Sequence, residues 1–182
     1  MLNHKGTVEL KTKRLLLRPY KAEDASDIFE NYATDPMVTR YLFSEPFPDF
    51  ETVQTFVEEQ VKGYTLQTYQ WLIEYEGHVI GSLSAYNIDH RNEACEIGGY
   101  LGKAFWSKRF IREAAMAVIA YLFEEIGFHR IYGGHDERNV ASGKVMISCG
   151  MQLEARFRES IFDNGTYYDA LQYSILSSEF KK

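Results

Sequence analysis

The chain has 182 residues, of which 45% are hydrophobic and 15% aromatic, and 20 Lys+Arg stand against 26 Asp+Glu for a formal charge of −6. One globular domain over residues 1–182 with a packed core fits that length and apolar content. The acidic balance speaks against nucleic-acid binding, which needs phosphate neutralisation. The run 114–123 is too short to cross a bilayer, so a cytoplasmic protein without membrane contact is expected.

All four prolines lie in the first 50 residues, which should therefore be irregular, with short helices between turns. Residues 8–18 read as a strand, with Leu15, Leu16 and Leu17 stopped by Pro19. Residues 22–33 place Ala25, Ile28, Phe29 and Tyr32 at helical spacing. Residues 49–63 form a second helix, with Asp49 as N-cap and Glu51 in the first turn. The period then changes. Residues 70–76 and 78–88 flank Glu76-Gly77 as a hairpin, and a third strand, 94–101, follows the turn 89–92.

Residues 110–126 predict a helix, apolar almost all round and closed by Gly127, buried on a sheet. A short strand 130–135 and a short helix 139–148 follow. Residues 153–163 and 166–176 make a last hairpin over Asp163-Asn164-Gly165. The expected fold is α/β (α+β): a mixed, mostly antiparallel twisted sheet of about seven strands, with helices on both faces. Its single β-α-β crossover (94–101, 110–126, 130–135) should be right-handed.

Between 101 and 110 lies GKAFWSKRFIRE, which gathers Lys103, Lys108, Arg109 and Arg112 around a helix start. Free amides there attract anions, whereas cations oppose the helix dipole unless an anion is bound. A phosphate or diphosphate resolves the conflict; solvation or surface ion pairs are the alternative. Neither a GxxxxGK[ST] run nor a dinucleotide fingerprint is present.

The segment EIGGYLGKAFWSKRFIREAAMAVIAYLFEEIGFHRIYGGHDERNVAS resembles the core motif of GNAT N-acetyltransferases, especially the branch with ribosomal-protein N-terminal acetyltransferases. LKTKRLLLRPYKAEDASDIFE is similar to that branch's first strand and helix, and GMQLEARFRESIFDNGTYYDALQYSI to its last hairpin. The resemblance implies a splayed sheet that takes acetyl-CoA in its gap. Backbone near Gly99, Tyr100 and Leu101 would pair with the pantetheine arm. The pattern from Trp106 through Ser107, Lys108, Arg109, Phe110, Ile111 and Arg112 would hold the diphosphate.

Asn139 and Ser142 match cofactor-touching positions, with Ser142 placed to protonate the leaving thiolate. Glu96 matches a position where some members keep a carboxylate base; the bland reading is a surface strand residue. The acceptor is a primary amine: a protein N-terminus, a polyamine or a small molecule. The chain departs from the pattern at Ser107, Arg109 and Ile111, where the family favours glycine or, at the last, glycine or alanine. There glycine lets backbone approach the diphosphate. Arg109 either hinders that approach, diverts the loop, or adds a contact to phosphate. This departure alone supports a different class, a degenerate domain binding a ligand or partner without catalysis.

His135 and Glu137 are candidate proton relays, weighed against structural roles. Phe43, Phe47, Trp71 and Tyr86 are candidates for an acceptor pocket, weighed against core packing. Cys95 and Cys149 read as buried thiols of a reducing compartment, and no residue cluster has metal spacing. Pairing of two copies through the last hairpin suits an exposed sheet edge.

Overall fold

The computed structural model describes residues 1–42 and 45–181. Its sheet has eight strands in the order β1-β2-β3-β4-β5-β6-β8-β7. They are β1 (Leu10–Lys11), β2 (Leu16–Arg18), β3 (Tyr69–Tyr75), β4 (His78–Asp89), β5 (Ala94–Leu101), β6 (Arg130–Asp136), β7 (Gln152–Asp163) and β8 (Thr166–Leu176). β5 and β6 run parallel; the other neighbours run antiparallel. The fold class is the expected one, with one more strand.

The extra strand comes from residues 8–18, which fold back on themselves. The Thr12 hydroxyl accepts the backbone N–H of Leu15 at 2.9 Å, and Thr12 N–H donates to the Leu15 carbonyl at 3.0 Å. That turn splits the run into β1 and β2. The expected helix at 22–33 is likewise broken. A single α turn, α1 (Ala25–Ile28), sits between a tight turn at Ala22–Asp24 and a wide one at Phe29–Ala33. A short helix not foreseen from the sequence, α2 (Pro36–Thr39), is capped by the Asp35 carboxylate.

Strand alternation sorts side chains to two cores. Trp71 and Ile73 of β3, with Ile97 of β5, pack under α4 (Phe110–Tyr121), whose Ala114, Val118 and Ile119 are 0% exposed. α4 continues through a wide turn, Leu122–Ile126, and stops at Gly127, which adopts φ 89°. Leu72 and Val79 face the other way, under α1 and α3 (Phe50–Lys62). Each large apolar side chain so buried contributes roughly 1.5–3 kcal/mol. α5 (Val140–Ser148) lies near β6, β7 and β8.

The sheet parts in its middle. β4 follows β5 out to Gly81↔Leu101, but β5 meets β6 only at Ala94↔Arg130, Cys95↔Ile131 and Glu96↔Tyr132. Beyond that point β6 pairs with β8 alone, as far as Asp136↔Ala170. Residues 97–101 and 133–136 therefore border a wedge with no ladder across it. At its apex the strands still press together. A Cβ on Gly133 would lie 2.9 Å from the Ile97 carbonyl oxygen, a contact only glycine avoids.

Candidate active site

The wedge opens toward the start of α4. Here Ser107 and Arg109 both adopt φ 63°, in the left-handed region. These are two positions where the sequence departs from glycine, and the structure keeps the glycine-like backbone at each. Arg109 has a φ that glycine adopts freely. As N-cap of α4 it makes no side-chain cap bond, whereas α2, α3 and α5 are capped by Asp35, Asp49 and Asn139. The first amides of α4 are thus left for another acceptor.

Ser107, Lys108 and Arg109 are exposed, as is Lys103. Lys108 lies 5.4 Å from the Phe105 ring. Arg112 is committed within the chain: its Nε donates to the Ser148 carbonyl at 2.9 Å, tying α4 to the end of α5. A cation missed from the sequence stands here too. Arg14 pairs with Glu113 at 2.7 Å, donates to the Lys108 carbonyl at 3.1 Å and covers the Phe110 ring at 4.4 Å. Its position depends on the β1–β2 turn, which no local signal announces.

Several expected contacts narrow to backbone alone. Phe110 is 2% exposed and Leu101 5%, and both belong to the core. Tyr100 points to the opposite core, edge-on to Tyr32 at 5.3 Å. Ile111 is half-buried against the α4 core. The Leu101 carbonyl is taken by the Trp106 indole N–H at 2.8 Å, so Trp106 braces the loop.

Across the wedge, Asn139 is the N-cap of α5, its side-chain oxygen accepting the Ser142 N–H at 3.3 Å. Ser142 is half-buried in the first turn. Beside it, His135 stacks on Tyr173 at 5.6 Å and donates from Nδ1 to the Asp136 carbonyl at 2.6 Å. Its Nε2 is buried and has no hydrogen-bond partner among the described residues. α5 reaches that ring because residue 143 is glycine; a Cβ there would come within 2.8 Å of Nε2.

The opposite face of the sheet carries Glu96. Register places Tyr86 of β4 directly across from Glu96, and Tyr132 of β6 directly across on the other side. Glu96 accepts the Tyr86 hydroxyl at 3.3 Å and the Asn87 amide at 2.9 Å. Asn87 reaches it from a register slip in β4 between Tyr86 and Asp89, at φ 49°. Burial, then the neighbouring Glu96 charge, pushes the Tyr86 phenol up to about 12, and the same causes raise Tyr132. Tyr86 was an acceptor-pocket candidate from the sequence; its alignment with Glu96, and Tyr132 on the other side, were not found, because strand register is invisible there.

The remaining candidates separate. Trp71 is 0% exposed and hydrogen-bonded to the Val8 carbonyl, so it is core. Phe47 packs on Phe56 at 5.3 Å beside an open depression of about 520 Å³ on α3, none of whose lining residues is on β5 or β6. Phe43 lies outside the described residues. Glu137 pairs with Arg156 at 2.7 Å. Cys95 and Cys149 are buried and free, and burial pushes Cys95 up to about 12.

A sheet split beside an uncapped, cation-flanked helix start suits a long ligand with a phosphate end, the architecture of acyl-carrier-dependent transferases. Residues 14–152 match the family described as Acetyltransferase (GNAT) domain; the chain belongs to this family and is an acetyltransferase. It is 30% identical to the uncharacterized N-acetyltransferase p20 of Bacillus licheniformis, over 94% of this chain and 97% of that one. YdaF of Bacillus subtilis, named as a candidate ribosomal N-acetyltransferase, is 32% identical over 59% of this chain and 58% of its own length. A GNAT-family acetyltransferase structure from Bacillus anthracis superposes with a TM-score of 0.83 at 26% identity, covering 94% of this chain and 100% of that one.

Proposed function

We propose that this chain, as one domain over residues 1–182, transfers the acetyl group of acetyl-CoA to a primary amine by direct attack. The observation that carries the reading is the wedge after Glu96–Tyr132, bordered by 97–101 and opening onto the uncapped start of α4. The amides of 107–112, with Lys103, Lys108 and Arg109, hold the diphosphate, and the backbone of 97–101 lines the arm. Asn139 and Ser142 border the thioester end. Bound acetyl-CoA supplies an activated acetyl group. Glu96 takes a proton from the ammonium, freeing the nitrogen lone pair that bonds to the carbonyl carbon. As the carbon–sulfur bond breaks, the Ser142 hydroxyl gives a proton to sulfur and takes the surplus proton of the nitrogen in return.

Left-handed turns at Ser107 and Arg109 support a glycine-like loop path for the cofactor; a domain that binds without catalysis is the alternative, carried by the departures at Ser107, Arg109 and Ile111. Buried free thiols at Cys95 and Cys149 support a reducing, cytoplasmic setting. On the outer hairpin, Leu153, Phe157, Phe162 and Tyr167 are 48–63% exposed, which supports pairing of two copies there. A screen of primary amines with acetyl-CoA, read by free thiol release, tests the reaction. Acceptor-dependent thiol release is the expected result. None with any amine class, from a folded protein that binds acetyl-CoA, contradicts it.

A further inference from the structure

At β6 and just past it, on the face of the sheet that carries Glu96, the arginines are held by carboxylates. Alternation along β6 puts Arg130, Tyr132, Gly134 and Asp136 on that face. Arg130 is held by Glu154 through two hydrogen bonds, one of 2.6 Å. Arg138 donates from Nε to Asp136 at 2.9 Å and from its terminal nitrogen to Asp163 at 2.9 Å, while its guanidinium covers the Tyr168 ring at 3.4 Å. Both arginines are neutralised where they stand.

Glu96 is different. Its acceptor bonds come from a phenol and a primary amide, both neutral, and among the described residues it has no ion pair. Two donors fix the carboxylate without cancelling its charge. The flanking tyrosines Tyr86 and Tyr132 stand at the positions directly opposed to Glu96 on β4 and β6. A carboxylate between two aromatic rings suits a cation, which gains from the charge and from the ring faces.

We infer that the acceptor is a primary ammonium with no carboxylate or phosphate on the same short chain, received on Glu96 in the row Tyr86–Glu96–Tyr132. An anionic neighbour would be brought toward Glu96, while Arg130 and Arg138 are already engaged by their own carboxylates. Free amino acids are therefore poor acceptors; alkylamines and amines with uncharged surroundings are good ones. The inference rests on the amine-acetylation reading above but is separable from it.

Two probes of one carbon length, butylamine and 4-aminobutanoate, isolate the anion. Their binding to the enzyme with CoA is followed by calorimetry, and their acetylation with acetyl-CoA by thiol release. The expected result is butylamine favoured at least ~10-fold in both, about 1.4 kcal/mol. Glu96→Gln, checked for an unchanged melting curve, should shrink the preference to within about threefold. Tyr132→Leu should weaken butylamine binding more than Tyr132→Phe, which keeps the ring. Butylamine favoured in binding with neither probe acetylated sinks the transfer reaction and leaves the recognition standing. Equal binding of the two probes, or no binding of butylamine, overturns the inference.

Discussion

The start of α4 and the row around Glu96 are built with opposite sign. At α4, the exposed Lys103, Lys108 and Arg109 precede a helix start that no side chain caps among the described residues, with two non-glycine residues held at positive φ. At β5 the Glu96 carboxylate is oriented by neutral donors, while Arg130 and Arg138, at the two ends of β6, are paired with carboxylates. A third kind of charge marks the contrast: Arg18, side chain 7% exposed, bonds Asp24 at 2.9 and 2.7 Å and Glu74 at 2.6 Å. Arg18, Arg130 and Arg138, with ion pairs inside the chain, hold the frame; the proposed ligands are assigned to Lys103, Lys108, Arg109 and Glu96, which have no ion pair among the described residues.

The sharpest break of that comparison is at Arg18. Arg18→Ala leaves buried Asp24 unpaired and should cost about 3–5 kcal/mol of unfolding free energy by urea titration. If stability holds and only activity falls, the division between frame and site charges fails.

Ser142→Ala comes next. It should lower kcat about 10²-fold or more while calorimetric acetyl-CoA affinity stays within about threefold. Unchanged turnover removes Ser142 from the reaction.

Arg109→Gly sharpens the loop side. Relief of a left-handed non-glycine residue should raise stability by up to about 1 kcal/mol, with cofactor binding weakened a few-fold by the lost charge. A large loss of stability would show that the guanidinium, not the turn, holds the loop.

The smallest effect is in acid. The Arg130 hydrogen bonds hold the Glu154 carboxyl down at about 2 against an ordinary 4.5, and Arg138 likewise lowers Asp136. A depressed carboxyl stabilises above its ordinary value and loses that contribution as pH falls through its folded one. Melting temperature should therefore drop between pH 4.5 and about 2. Glu154→Gln should make that drop shallower.

Local chemistry made much of the frame readable. Asp49 caps α3, Glu76-Gly77 and Asn164-Gly165 take the positive φ values of tight hairpin turns, and 94–101 coincides with β5. What was missed depends on distant partners. The break within residues 8–18 is tied by the Thr12 hydroxyl to Glu113 on α4, at 2.6 Å. That same tie places Arg14 at the site. Tyr86, Glu96 and Tyr132 align only through the register of β4, β5 and β6. Glu96 itself stood out in the sequence, but its lack of an ion pair did not.

The central claim is that the opening beside α4 grips a diphosphate. Calorimetric titration of the intact protein with acetyl-CoA and with S-acetylpantetheine, which carries the same thioester arm without phosphates, tests it directly. Two charge-assisted contacts at about 1.5–3 kcal/mol each predict at least ~10²-fold weaker binding of the shorter molecule. Equal affinity for the two would contradict the account.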